Sequence, residues 1–449
     1  MAGYSSYKHS KIDWLGDIPS HWDTIPLRYT ALGKGCTFID GDWIESKNIS
    51  TEGIKYLTTG NIGPGYYKEQ GSGYITEETF KELNCTDVFP GDLLISRLNE
   101  PIARTCIVPD LDTRIVTAVD NVIYRPNANI CDKRYVCYWL NNAKLTEHAN
   151  VIARGATMHR ISRTMLGHLP VLLPPLGEQK AIADYLDAEC KKIDDLIKKE
   201  EKRVQLIEET KLSIITKAIT KGLNESAIMK DSGVPWVGLV PNSWVRHRIK
   251  YDLTRSAAGV WGDEEKGNDD DIVCYRIADY DYSRGILDND SPTIRNIPTK
   301  ERQGRLLRHG DLLIEKSGGG DVWPVGRVVR YNYEIEAVCS NFIHSVTVDK
   351  RKIDQDFLYY YFRFLYANKV NLLYFNQTTG IQNLKVSAYL SQSLYAPELD
   401  EQKEIVEYLN KKCDSYDIAI NKANHQIDLL KEYKQSLITE VVTGKRKVC

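Results

Sequence analysis

The chain lacks most of what would give it a chemistry of its own. No stretch approaches the roughly 18 uninterrupted apolar residues that a membrane span requires. The opening "MAGYSSYKHSKIDWLGD" has neither the basic region nor the apolar core of a secretory signal. Both absences point to a cytoplasmic protein with no membrane partner. The ten cysteines include no CxxC pair, and the closest two, Cys131 and Cys137, have no His-x-x-x-His partner. Neither a zinc centre nor a disulfide framework is expected, and the thiols read as buried and reduced. Positive charge is not in excess either: 59 Lys and Arg stand against 61 Asp and Glu, for a formal charge of −2. Any nucleic-acid binding must therefore rest on local patches or on a partner's charge.

Catalytic signatures are missing as well. No G-x-x-x-x-G-K-[ST] occurs, and the glycine cluster "KSGGGD" (Lys316 to Asp321) does not open a predicted helix, which argues against a phosphate cradle. Neither a G-x-S-x-G elbow nor an H-E-x-x-H zinc motif is present. An amino-methyltransferase would carry an Asn-Pro-Pro-aromatic or Asp-Pro-Pro-aromatic tetrapeptide. The nearest segment, "LPPL" (Leu173 to Leu176), lacks the polar residue that would hold the target amine. The nine histidines are dispersed singly. The reading is of a protein that is not an enzyme and binds no metal or cofactor itself.

What is present is a repeat. With 449 residues, 42% hydrophobic and 27% charged, the chain has globular composition and room for two to four domains. "PPLGEQKAIADYLDAECKKID" (Pro174 to Asp194) returns as "PELDEQKEIVEYLNKKCDSYD" (Pro397 to Asp417), and "KHSKIDWLGDIPSHW" (Lys8 to Trp22) returns as "KDSGVPWVGLVPNSW" (Lys230 to Trp244). Gly-Asp-Leu-Leu-Ile occurs at Gly91 and again at Gly310, and "GATMHRI" (Gly155 to Ile161) stands opposite "TGIQNLK" (Thr379 to Lys385). Long-period self-similarity of this kind means two tandem copies of one half, each a divergent module followed by a well-matched segment.

The matched segments are helical on periodicity. Ile182, Leu186, Ile193, Leu196, Val204, Ile207, Ile214 and Ala218 keep a four-three apolar spacing, interrupted by Glu189, Glu200 and Lys211. The second copy has Ile405, Leu409, Tyr416, Ala419, Ile427, Leu430, Leu437 and Val441, interrupted by Lys412, Ala423 and Lys434. Such a helix is roughly 60 Å long at about 1.5 Å per residue, too long for one module to cover. The economical partner for each seam is the other copy, in a two-helix coiled coil related by a pseudo-two-fold axis; packing of each helix on its own module is the alternative. The modules read as strand-rich, from "DLLIS", "TCIVPD", "NVIYRP", "DIVCYRIA", "DLLIE", "GRVVRY" and "FIHSVTV". "KRYVCYWLNNAKLTEHAN" and "DQDFLYYYFRFLYANKVN" read as further helices with core-facing aromatics. The expected architecture is α+β: two mixed, strand-rich modules with two long helices in an antiparallel coiled coil, divided at 1–173, 174–228, 229–396 and 397–449.

The ordered double set resembles the specificity subunit of type I restriction-modification systems across the whole chain. It is carried by the W-x-G-x-x-P-x-x-W starts at Trp14 and Trp236, the Gly-Asp-Leu-Leu-Ile strands, "LPPLGEQKAIADYLD" and "APELDEQKEIVEYLN", and "ITKAITKGL" (Ile215 to Leu223) answered by "ITEVVTGKRK". The resemblance implies a subunit without catalysis whose modules are target-recognition domains, each reading half of a split site in double-stranded DNA. It implies helices that fix the gap between the halves, and two modification subunits that carry S-adenosylmethionine and methylate adenine. It also implies two ATP-driven, Mg-dependent restriction subunits. Glu178, Gln179, Lys180 and Tyr185, with Glu401, Gln402, Lys403 and Tyr408, are the positions it offers for docking partners. The second copy loses the double proline and ends "TGKRKVC" instead of "TKGLNE", so its last turn is expected to differ.

Base and phosphate contacts require polar side chains on loops. In the first module the candidates are Thr59, Gly60, Asn61, Ser96, Arg97, Asn99, Arg104, Arg154, Thr157 and His159. In the second they are Arg276, Lys316, Ser317, Arg327, Gln377, Thr378 and Gln382. Each is weighed against a plain loop or turn role. "RNIPTKERQGRLLRH" (Arg295 to His309), with five basic residues against one Glu, is a further phosphate candidate, whereas "DEEKGNDDD" (Asp263 to Asp271) should face away from DNA. Two other readings stand beside this one. A stand-alone DNA-modifying enzyme would turn over labelled cofactor by itself, and a coiled-coil adaptor would show no sequence preference in a gel shift.

Overall fold

The Gly-Asp-Leu-Leu-Ile segment illustrates why the copies match where they do. In the computed structural model, which describes residues 3–153, 159–288, 291–320, 322–378 and 380–448, Gly91 and Gly310 turn the chain at φ +89° and +92°, where a side chain would be strained. The aspartate that follows closes the turn: Asp92 accepts from Phe89 N at 2.8 Å and Asp311 from Arg308 N at 2.9 Å. The same carboxylates hold Arg125 and Arg255 on other strands of the respective sheets. Leu-Leu-Ile then enters a sheet centre as Leu93–Ser96 and Leu312–Glu315, buried on both faces.

The chain forms two compact units, Met1–Glu200 with Gln426–Cys449, and Glu201–His425. In the first, Leu93–Ser96 lies in a four-stranded sheet ordered Thr37–Asp40, Asn121–Arg125, Leu93–Ser96, Thr105–Ile107. A three-stranded sheet, Gly73–Ile75, Ile54–Leu57, Ile115–Thr117, packs beside it, its last two strands parallel. In the second unit a six-stranded sheet carries Leu312–Glu315 between Ile343–Val348 and Val328–Arg330, and a four-stranded sheet holds the parallel pair Asp271–Tyr275 and Ala337–Cys339. All seven runs read as strands form strands. The first aromatic helical stretch is broken in two, Lys133–Leu140 and Ala143–Ile152, because Asn142 caps a new helix by accepting from Leu145 N.

Two long helices, Leu176–Lys221 and Leu399–Val442, each contribute to both units. Within the first unit Ile182, Leu186 and Ile193 share a core with Leu437, Ile438 and Val441. Within the second, Ile215, Ala218 and Ile219 share one with Ile405, Leu409 and Cys413. In each unit the start of one helix meets the end of the other, so the pairing is antiparallel. Leu196, expected on the seam, is instead 47% exposed, and Ala423, expected to interrupt it, is buried. Two of the interruptions have a cause: Lys211 Nζ reaches Asp417 Oδ1 at 2.5 Å, and Lys434 Nζ reaches both carboxylate oxygens of Asp194 at 2.7 Å. These two pairs occupy equivalent places in the repeat.

The W-x-G-x-x-P-x-x-W motif anchors the helix starts. Trp22 and Trp244 are fully buried and each donates Nε1–H to a helix glutamate, Glu178 and Glu401, at 3.1 Å. The glycine ending the opposite long helix lies against the same ring: Gly444 (φ +73°) against Trp22, and Gly222 (φ +70°) against Trp244. The altered "TGKRKVC" ending thus moves the glycine by one position in the repeat but keeps its place under the tryptophan. No helix among the described residues is long and apolar enough to cross a membrane. Of the described cysteines, all but Cys36 are buried, and burial pushes the Cys106 thiol up to about 12.

Candidate nucleic-acid interface

In both units the residue after the Gly-Asp strand is stapled on one side to the turn before a neighbouring strand (Asn121–Arg125, Ile343–Val348) and on the other to the segment before a short helix (Arg163–His168, Val386–Tyr389). Arg97 N donates to Asp120 O at 2.8 Å and Ile161 N to Arg97 O at 3.0 Å. In the second unit Lys316 N donates to Phe342 O and Leu384 N to Lys316 O, both at 2.8 Å. A second feature lies beside each staple: a 3-10 turn, Thr59–Asn61 after the strand Ile54–Leu57, and Ile277–Asp279 after Asp271–Tyr275. Each turn is closed by its last side chain, Asn61 accepting from Thr58 N and Asp279 from Arg276 N. "TTGN" and "RIAD" are therefore the same turn in two modules, with Thr58 and Arg276 at its head.

The first-module candidates converge on this place, though many of them brace it. Arg104 donates to five carbonyl oxygens, of Ile62, Thr59, Leu98, Asn99 and Pro101, at 2.7–3.2 Å. It ties the 59–62 turn to the 98–101 loop, and burial pulls its pKa down. Arg97 is 5% exposed and spans Asp40, Ile161 O and Val119 O. Asn61 and Ser96 are fully buried; Asn61 also donates to Lys68 O, and Ser96 to Leu98 O. Side chains with that burial hold loops rather than meet a ligand. Gly60, Asn99 and His159 are exposed and Thr59 half-buried; His159 Nδ1 lies 2.6 Å from Glu100. Arg154 and Thr157 lie outside the described residues.

The second-module candidates are brought together in the same way. Ser317–Gly318 pairs with Gln382 and Asn383 in a three-stranded sheet whose third strand, Phe375–Thr378, carries Gln377 and Thr378. Gln377 is exposed. Gln382 is 2% exposed and accepts from Val325 N; Ser317 is 6% exposed and donates to Asn383. Arg327 grips Glu315 with two hydrogen bonds, 2.8 and 3.1 Å, and its guanidinium lies 3.8 Å over the Tyr282 ring. Arg276 and Lys316 keep part of their length in solvent. The basic stretch Arg295 to His309 is largely engaged: Arg295 lies over Trp261, Arg302 beside Asp270, and Arg305 donates to Gly259 O.

Sequence reasoning missed a third shared feature. Gly41 and Gly259 each press against backbone carbonyls of a facing segment, those of Thr117 and Ala118 and of Cys339 and Ser340 respectively, where a Cβ would come within 2.4 and 2.0 Å. Two residues later each presents a tryptophan, Trp43 at 68% exposure and Trp261 partly exposed. The recurrent Gly-x-Trp was the signal available. Of the eight helix positions offered for docking, Gln179 and Gln402 are 1% exposed and serve the fold. Gln179 accepts from Asp132 N and donates to Ile130 O and Pro174 O; Gln402 accepts from Asp354 N and donates to Pro397 O. Glu178 and Glu401 hold the tryptophans, Lys180 and Lys403 are exposed, and Tyr185 and Tyr408 are half-buried.

Residues 31–206 and 276–429 match the type I restriction modification DNA specificity domain. Over 446 residues the chain is 24% identical to a Methanocaldococcus jannaschii protein named as the type I restriction enzyme MjaX specificity subunit, covering 97% of this chain and 96% of that one. It is 21% identical over 444 residues to the type I restriction enzyme StySPI specificity subunit of Salmonella potsdam, covering 96% and 90%. A solved structure from a study of complex assembly and conformational transition of the type I R-M system superimposes at a TM-score of 0.68. It has 14% identity, over 95% of this chain and 98% of that one, and thus shares the fold.

Proposed function

Because the chain belongs to the type I restriction modification DNA specificity domain family, matched twice along its length, we propose that each module reads one half of a bipartite site in double-stranded DNA. The chain is a sequence-specificity subunit, and catalysis resides in other subunits. One observation supports the two-reader scheme above the rest. Both modules build the same stapled strand, capped turn and Gly-x-Trp from matching backbone hydrogen bonds, yet fill them with different side chains. A common frame with divergent edges is what two readers of different half-sites require, since base identity is read by side chains while the frame only positions them.

The antiparallel long helices set the number of base pairs between the half-sites, and their solvent faces dock two modification subunits. Those subunits carry S-adenosylmethionine and methylate adenine; two restriction subunits bring ATP, Mg and DNA cleavage. The near-neutral chain fits this division, since phosphate neutralisation on both sides of the gap then falls to the partners. Methylome sequencing of the host before and after deletion of this gene tests the proposal. An interrupted, asymmetric methylated-adenine motif should vanish; an unchanged motif set in a host expressing the partner subunits overturns it.

A further inference from the structure

In the second module Trp261, Arg276, Ile277, Ala278, Ser340, Asn341 and Phe342 enclose an open cleft of about 320 Å³. Its position is fixed by hydrogen bonds that recur in the first module. Val260 N donates to Cys339 O, Ser340 N to Tyr275 O and Ile343 N to Ser340 O; Asp42 N donates to Thr117 O, Ala118 N to Leu57 O and Asn121 N to Ala118 O. By this register Trp261 stands where Trp43 stands, Arg276 where Thr58 stands, and Phe342 where Asp120 stands.

Three features make the cleft more than a gap between loops. Its two aromatic walls, Trp261 and Phe342, are both partly in solvent, Phe342 at 46% exposure, so together they offer a ligand a paired apolar surface. Arg276 lines it and keeps its side chain 44% exposed: Nη2 is 3.6 Å from Asp279 Oδ1, and the buried Nε has no hydrogen-bond partner among the described residues. Arg295 rests 4.4 Å from the Trp261 ring, fixing that wall and adding positive charge. The cleft also adjoins the staple, since the carbonyl of Phe342 accepts from Lys316 N.

We infer that this cleft is the base-reading site of the second module, with Arg276 addressing the O6/N7 edge of a guanine and Phe342 and Trp261 flanking it against the neighbouring base. The assignment rests on the DNA-reading function proposed above. An arginine fork matches the two acceptors of guanine and no other single base edge in the major groove, and aromatic faces suit a thymine methyl or an exposed base plane. In the first module the matching cation is replaced by Thr58, and Asp120 is engaged by Arg160 at 2.7 Å. That module therefore reads a different base there, while its Trp43 retains the flanking role.

The test uses the full chain co-expressed with its modification subunits, with methylated motifs read genome-wide. Arg276→Ala and Arg276→Lys should each relax one guanine position in one half-site, by roughly tenfold or more in methylation preference, with the other half-site unchanged. Phe342→Ala should relax the adjacent position. Lysine separates base reading from phosphate binding, because a point charge satisfies a phosphate but not the paired acceptors of guanine. If Arg276→Lys keeps the motif while Arg276→Ala lowers methylation uniformly, Arg276 is a phosphate contact and the inference fails. It fails equally if all three variants, folded to the same melting temperature as wild type, methylate an unaltered motif. Should the wild-type complex itself methylate no bipartite motif, the failure belongs to the functional proposal instead.

Discussion

Lys211→Met is expected to loosen the second unit selectively. The lysine side chain is 6% exposed and its carboxylate partner Asp417 is 26% exposed. Stripping one member from a fully buried pair costs about 3–5 kcal/mol, because the other charge is left unpaired in a poor solvent. A fully exposed pair is worth about 0–1 kcal/mol. Asp417 lies between these limits, and a cleft of about 560 Å³ that it helps to line admits water, so the cost should be about 2 kcal/mol. The repeat supplies an internal control: in the equivalent pair Lys434 and Asp194 are 29% and 44% exposed, and Lys434→Met should cost under about 1 kcal/mol. Hydrogen exchange with peptide resolution reads the two separately. In Lys211→Met, amides over Leu212–Ile219 should exchange roughly thirtyfold faster, while those over Ile182–Ile193 hold. Adding Asp417→Leu should restore most of the protection. Wild-type protection in Lys211→Met, or a larger loss in Lys434→Met, would refute the desolvation argument.

Gln179→Ala leaves two carbonyls and one N–H without their partner and should lower stability in a urea melt by about 3 kcal/mol. Gly310→Ala forces a side chain into φ +92° against Gln355, at about 1–3 kcal/mol by thermal scan. Arg104→Ala frees the 59–62 turn from the 98–101 loop, so recognition of the first half-site should weaken by methylation readout while the second is retained. Burial, with Lys316 and Arg255 adding to it, holds the buried-side His344 near 4. The unfolded chain takes up that proton first, near pH 6.5, so the stability of the second unit should fall as pH drops from about 6.5 towards 4. A His344→Gln variant should show a flatter acid limb in pH-dependent melts; an equally steep one assigns the loss to other groups.

The repeat, the strands beside Gly-Asp and the long helices were legible because each leaves a local pattern that survives in both copies. Lys211 and Lys434 read as flaws because apolar periodicity is judged along one helix, whereas their aspartates sit on the other. Glu178 read as a docking position because the ring that holds it lies 156 residues earlier. Among reader candidates, residue type picked out polar groups that the fold gathers beside the staple, but it could not tell which of them are buried. Arg97, Asn61 and Gln382 are polar, yet buried bracing groups, and only packing separates a brace from a reader. Trp43 and Trp261 escaped notice because their flanks diverge and their spacing differs from that of the other anchors.

The first unit is assembled from two stretches of chain that synthesis delivers far apart in time. Its core lacks Leu437, Ile438, Val441 and Val442 until the 225 residues of Glu201–His425 have been made. At about 5–20 residues per second that is a wait of roughly 10–45 s. During it the apolar stripe at Ile182, Leu186 and Ile193 has only the first module to pack against and lacks its partners from the second long helix. The arrangement makes the final two dozen residues a closing clasp, and it predicts that a nascent chain stalled before Gln426 is a substrate for chaperones rather than a half-finished reader.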